Sequence, residues 1–138
     1  MKKCRWFKIE ELVAPEILAD IGEEQCWAMV AEWADQLDKI RVLSGMKLHL
    51  NSKNGRRYAG VRPLDCKIGA RMSRHKLVRP HVSAWDFVCN DLVKLENVVR
   101  NNWRTLGIVR IENPRVTVGW LHVEFCSLGS PRLAVFDP

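Results

Sequence analysis

The apolar positions of the first 45 residues recur at helical spacing. Ile9, Leu12, Val13, Ile17, Leu18 and Ile21 step by threes and fours, with Pro15 interrupting. This predicts a short helix and then a second one ending near Gly22. From Glu23 to Leu43 the pattern resumes. Cys26, Trp27, Val30, Trp33, Ala34, Leu37 and Ile40 draw one apolar stripe, with Glu, Asp and Lys opposite and Gly45 as the stop. The period then changes to two. Met46–Leu50 alternates and predicts a strand that sets His49 apart from Leu48 and Leu50. Residues 51–74 are rich in Gly, Asn, Pro and Arg and predict a long ordered loop. Ala84–Val88 reads as a strand. A helix capped by Asn90 or Asp91 should run to about Thr105. Gly107–Ile111, Val116–Phe125 and Arg132–Phe136 read as further strands, with a turn at Asn113-Pro114. Helices first, then strands around one long helix, predict an α+β fold with a mostly antiparallel sheet.

The length, 138 residues, fits one domain over residues 1–138. No apolar run is long enough to span a bilayer, so membrane insertion is not expected. The basic N-terminus lacks the apolar stretch of a secretory signal, which predicts a chain that is cytoplasmic as synthesised. Five widely spaced cysteines without a Cys-x-x-Cys pair predict reduced thiols and argue against a zinc ribbon. The net charge of +6 is uneven. Residues 51–80 hold nine basic side chains (Lys53, Arg56, Arg57, Arg62, Lys67, Arg71, Arg74, Lys76 and Arg79) against Asp65 alone. That is 9 − 1 = +8, leaving −2 elsewhere. Such a block suits an anionic ligand or a solvated loop. Nucleic acid is disfavoured as a partner, because no helix-turn-helix, finger or RNP-like motif accompanies the charge.

Candidate chemistry lies in three segments: Gly60-Val61-Arg62-Pro63, Ser73-Arg74-His75 followed by Ser83-Ala84-Trp85-Asp86, and Gly119-Trp120-Leu121-His122-Val123-Glu124. Period two puts Trp120, His122 and Glu124 on one face of a strand, with Leu121, Val123 and Phe125 on the other. Asp86 sits between Trp85 and Phe87, where a carboxylate needs a partner. Two imidazoles and one carboxylate can bind Zn²⁺ and leave a fourth position for water. Zinc lowers the pKa of that water to about 7. A lone His or Asp on a strand is more often structural than a ligand.

These segments resemble the zinc D-alanyl-D-alanine carboxypeptidases and endolysin peptidases, especially short phage-type members. The first signature of that family, Ser-x-His then Gly-x-Ala-x-Asp, is matched by Ser73-Arg74-His75 and Ala84-Trp85-Asp86. The second, Trp-x-His-x-Asp, is matched by Trp120 to Glu124, with Glu in place of the last Asp. Phe7 to Glu16 resembles the family's opening helix. Leu50-Asn51 with Gly60 to Pro63, Arg110-Ile111-Glu112 and the closing Val135 to Pro138 follow in the same order.

The resemblance implies a zinc DD-peptidase/hedgehog-like α+β fold with Zn²⁺ on the sheet. It implies His75, Asp86 and His122 as ligands and Arg62 holding the substrate carbonyl or its oxyanion. Glu124 would orient a ligand, with Ser73 and Trp120 also around the site. The reaction implied is hydrolysis of the peptidoglycan stem peptide, by a protein reaching the wall on lysis or as a virion component. Two departures matter. His75 and Asp86 are eleven positions apart where the family usually has seven, an insertion of four with Lys76 to His81 filling the gap, and His81 is an alternative ligand. Gly119 stands where several relatives carry an acid. The general base would then be Glu112, which reads equally as an exposed acid paired with Arg110 or Arg115. The alternative function is a non-catalytic cell-wall-binding or virion module on the same fold.

Overall fold

The structure is a computed structural model that describes residues 1–70 and 72–138. Arg71, one of the nine basic residues of the loop segment, lies outside the described residues. The fold is α+β, with N-terminal helices packed on a four-stranded, mostly antiparallel sheet.

The helices are α1 (Ile9–Leu12), α2 (Pro15–Val30), α3 (Ala34–Ser44) and α4 (Leu92–Leu106). Pro15 occupies the first turn of α2, where a missing N–H costs nothing. Gly22, with φ 80°, breaks α2 internally, so the expected stop is a kink. The stripe predicted as one helix from Glu23 to Leu43 is divided at a 3-10 turn, Ala31–Trp33, before α3. The stripe still faces inward, and Trp27, Val30, Trp33, Leu37 and Ile40 are all buried. Gly45 ends α3 in the left-handed conformation that glycine adopts without a Cβ penalty. Asp91 caps α4 by accepting a hydrogen bond from the Lys94 N–H.

The strands are β1 (Val82–Phe87), β2 (Ile108–Glu112), β3 (Leu121–Cys126) and β4 (Ala134–Phe136). Their spatial order is β1-β3-β2-β4, with β4 parallel to β2 and the other pairs antiparallel. In this register Asp86 lies opposite His122, and Arg110 opposite Glu124. An irregularity between Ile108 and Arg110 keeps Ile108 and Ile111 in the core while Arg110 and Glu112 face the other way. The core face carries Trp85, Phe87, Val123 and Phe125 against Leu37, Leu95 and Val99 of the helices. Each such fully buried side chain contributes about 1.5–3 kcal/mol. The opposite face carries the polar cluster.

Three predicted strands are shorter than expected. Met46–Leu50 forms only a bridge, His49 to Val88, with Leu48 and Leu50 buried and His49 exposed. Val116–Phe125 is extended only from Leu121, because the Asn113 carbonyl accepts from both Val116 and Thr117 and closes a turn. Arg132–Phe136 pairs only from Ala134. The 51–74 segment is irregular but tied down. The buried Asn51 amide donates to the Val13 carbonyl and accepts from Ala59 N–H, and Val61 N–H donates to the Leu12 carbonyl. Trp6 is 46% exposed, with the Arg5 and Arg41 guanidiniums over its ring. All five cysteines are free. Among the described residues, no helix is long and apolar enough to cross a membrane.

Candidate metal centre

Three elements bring His75, Asp86 and His122 together. Asp86 and His122 are cross-strand partners on β1 and β3. His75 arrives on a 3-10 turn, Arg74–Lys76, capped by Ser73, whose hydroxyl accepts from the His75 N–H. All three side chains are buried. His122 Nδ1 is 2.7 Å from Asp86 Oδ1, His75 Nε2 is 3.3 Å from that oxygen, and the two ring nitrogens are 3.3 Å apart.

The outward-facing ring nitrogens are each held. His75 Nδ1 is 2.9 Å from the Gly60 carbonyl, which can only accept, so that nitrogen carries the proton and Nε2 presents its lone pair. His122 Nε2 donates to Glu124 Oε1 at 3.1 Å. Both rings therefore aim their inner nitrogens at one point, the arrangement that outer hydrogen bonds impose on metal-ligating histidines. Bonds of about 2.0–2.1 Å in a tetrahedron place ligand atoms ~3.3 Å apart, close to two of the three separations here. The donors fit a metal ion, and the group could hold one.

Charge is arranged in layers around the cluster. Arg62 Nη2 is 3.2 Å from Asp86 Oδ2, and its other nitrogens donate to the Tyr58 and Ile68 carbonyls. Arg56 donates to the Asp86 carbonyl oxygen at 2.9 Å and lies over the Trp120 ring. Arg74 and Arg110 pair with Glu124 at 3.0 and 3.5 Å, and Arg110 also covers Phe136. Burial alone would raise the Asp86 pKa, but the charged hydrogen bond from His122 holds it well below the usual carboxylate range. Burial pushes the His75 pKa down despite Asp86, leaving the ring neutral. For His122 burial works against the charge, but the hydrogen bonds to Asp86 and Glu124 outweigh it and lift its pKa to about 9. Glu124 is lowered: burial opposes its charge, and His122, Arg74 and Arg110 favour it.

The cluster forms part of the floor of a cleft of about 910 Å³. Glu112 lines it as well, with Oε1 3.9 Å from His122 Nδ1 and Oε2 accepting a 2.7 Å hydrogen bond from Thr117 Oγ1. Its side chain is only 16% exposed, so it is not the exposed acid of the alternative reading, and Arg110 pairs with Glu124 instead. Trp120 stands at the rim, just before β3, and is 39% exposed. His81 does not join the cluster. It is exposed, and its Nδ1 contacts Ser127 Oγ and Glu32 Oε1.

The supporting roles of Arg56, the Gly60 carbonyl, Thr117 and Arg110 were not legible beforehand. Arg56 lay in the basic run and Gly60 in a singled-out segment, but nothing in the sequence tied either to a particular acid or ring. No family model, curated protein or solved structure matches the chain.

Proposed function

We propose that residues 1–138 form a single zinc peptidase domain hydrolysing peptide bonds of the peptidoglycan stem peptide, a D-Ala-type carboxy- or endopeptidase of phage or prophage origin. The observation that carries this reading is the convergence of His75 Nε2, His122 Nδ1 and Asp86 Oδ1 with both outer ring nitrogens already held. The signature residues that resemble the zinc peptidases, distant in sequence, meet at that point and in one cleft.

His75, Asp86 and His122 would hold the ion, which when bound supplies Lewis acidity and an acidic water near neutral pH. Glu112 would act as general base from its place beside His122, its rotamer fixed by Thr117. Glu124 would keep the His122 ring oriented. Ser73 would set the turn that delivers His75, and Trp120 would form one rim of the substrate cleft. Arg62 would set positive charge beside the substrate carbonyl. Arg79, which lines the cleft with no acidic partner among the described residues, would face a substrate carboxylate.

The test is zinc content together with release of D-amino acids or new amino termini from purified peptidoglycan. Wild type should show both, and His122→Ala neither. Absence of zinc binding at micromolar free metal sinks the proposal. Zinc without turnover would instead favour the non-catalytic wall-binding or virion module.

A further inference from the structure

Asp86 uses its two oxygens differently. Oδ1 faces His122 Nδ1 and His75 Nε2, at 2.7 and 3.3 Å. Oδ2 faces away from them, to Arg62 Nη2 at 3.2 Å, with Arg56 Nη2 at 3.9 Å behind it. The Arg62 side chain is 10% exposed and is held at three points, because Nε donates to the Tyr58 carbonyl at 2.7 Å and Nη1 to the Ile68 carbonyl at 3.2 Å. The loop therefore fixes the guanidinium before any ligand arrives. The main chain of Asp86 is fixed as well, since its N–H donates to the Ala59 carbonyl and its carbonyl accepts from Arg56.

We infer that Arg62 is a positioning residue for Asp86: by occupying Oδ2 it makes Asp86 a one-oxygen metal ligand and keeps the remaining coordination position open. This rests on the reading of His75, Asp86 and His122 as ligands. The sequence resemblance places Arg62 on the substrate; the geometry places it first on the ligand carboxylate. The distinction has a physical basis. A carboxylate free at both oxygens can swing to bind through two, which fills the space that an open site needs. A guanidinium anchored elsewhere opposes that swing with a charged hydrogen bond of low reorganisation cost.

The experiment needs no peptidase assay. Zinc affinity is measured by competition with a chelating dye for wild type, Arg62→Met, Arg62→Lys and Arg56→Met, each checked for fold by circular dichroism without metal. Cobalt(II) is then substituted and its visible absorption recorded. Arg62→Met should weaken zinc binding about 10–100-fold, the usual cost of losing the group behind a metal ligand. Its cobalt band should fall in intensity as the coordination number rises. Arg62→Lys should be partly impaired, since an ammonium can meet Oδ2 but cannot also hold both loop carbonyls. Arg56→Met, more distant from Oδ2, should change the band less than Arg62→Met. A folded Arg62→Met with wild-type affinity and an unchanged cobalt spectrum overturns the inference. If that variant does not fold, Arg62→Lys decides on the same two readouts. If wild type itself binds no metal, it is the proposed function that fails.

Discussion

Without metal, His122 should be an imidazolium at neutral pH. Its two nitrogens face Asp86 Oδ1 at 2.7 Å and Glu124 Oε1 at 3.1 Å, so both protons are bound by carboxylates. These bonds outweigh burial and place its pKa at about 9, against ~6.5 for an unperturbed imidazole. The signs follow directly. Because the folded pKa is raised, this interaction stabilises the metal-free fold fully below about pH 6.5. The contribution is lost as pH rises through about 9. At the acid end the lowered pKa of Asp86 governs: its contribution is present above the usual carboxylate range and lost as pH falls below it. Zinc must displace the Nδ1 proton. At pH 7 that displacement costs roughly two pH units, or about 3 kcal/mol, so zinc should bind about 100-fold more weakly there than this term allows at pH 9. The assay is a pH titration of the imidazole signals by NMR, with and without zinc. Metal-free His122 should show a midpoint near 9, and zinc-loaded His122 should not titrate between pH 7 and 10. A metal-free midpoint near the unperturbed value, or titration that persists after loading, refutes the reasoning.

Two further predictions concern other parts of the cleft. Glu112→Gln should keep zinc binding within a few-fold of wild type while lowering kcat about 10²–10⁴-fold, the usual range for a lost general base; unchanged kcat in steady-state assays removes Glu112 from the mechanism. Gly60→Ala should destabilise the fold by ~3 kcal/mol or more, because the new Cβ would overlap the Leu12 carbonyl oxygen and crowd Trp85. It should also shift the carbonyl that holds His75 Nδ1, which chemical denaturation and zinc titration would each detect.

What the sequence carried was periodicity, and what it lacked was pairing. Alternation alone sorted His122 and Glu124 from Leu121 and Val123, because a strand has only two faces. Gly45 marked its helix end because a left-handed terminus favours glycine. Alternation at Met46–Leu50 equally sorted Leu48 and Leu50 inward, yet it could not supply a neighbouring strand, and only His49 pairs. Val116 to Val118 has strand-like composition, but Asn113 captures the backbone into a turn. His75 was nameable from its motif, whereas its approach to Asp86 depends on a loop whose path is set by Asn51, Gly60 and Arg62. Arg56 carried no signal, since an arginine in a basic run does not announce which carboxylate it will meet.

The basic segment looked like a surface for an external anion, but much of it answers acids within the fold. Arg56 and Arg62 lie against Asp86, Arg57 pairs with Glu16, and Arg74 pairs with Glu124. This follows from desolvation: a carboxylate withdrawn from water needs a compensating charge, and Asp86 and Glu124 are both buried. Around the cluster stand three carboxylates, Asp86, Glu112 and Glu124, and four guanidiniums, Arg56, Arg62, Arg74 and Arg110. With the His122 imidazolium the balance is 4 + 1 − 3 = +2 before any metal, and a divalent ion in place of the His122 proton would make it 4 + 2 − 3 = +3. A cleft so charged would favour an anionic group over a cationic one. The positive segment thus makes the buried carboxylates tolerable, through Arg56 and Arg62 beside Asp86 and Arg74 beside Glu124, while Arg110 of β2 supplies the fourth guanidinium.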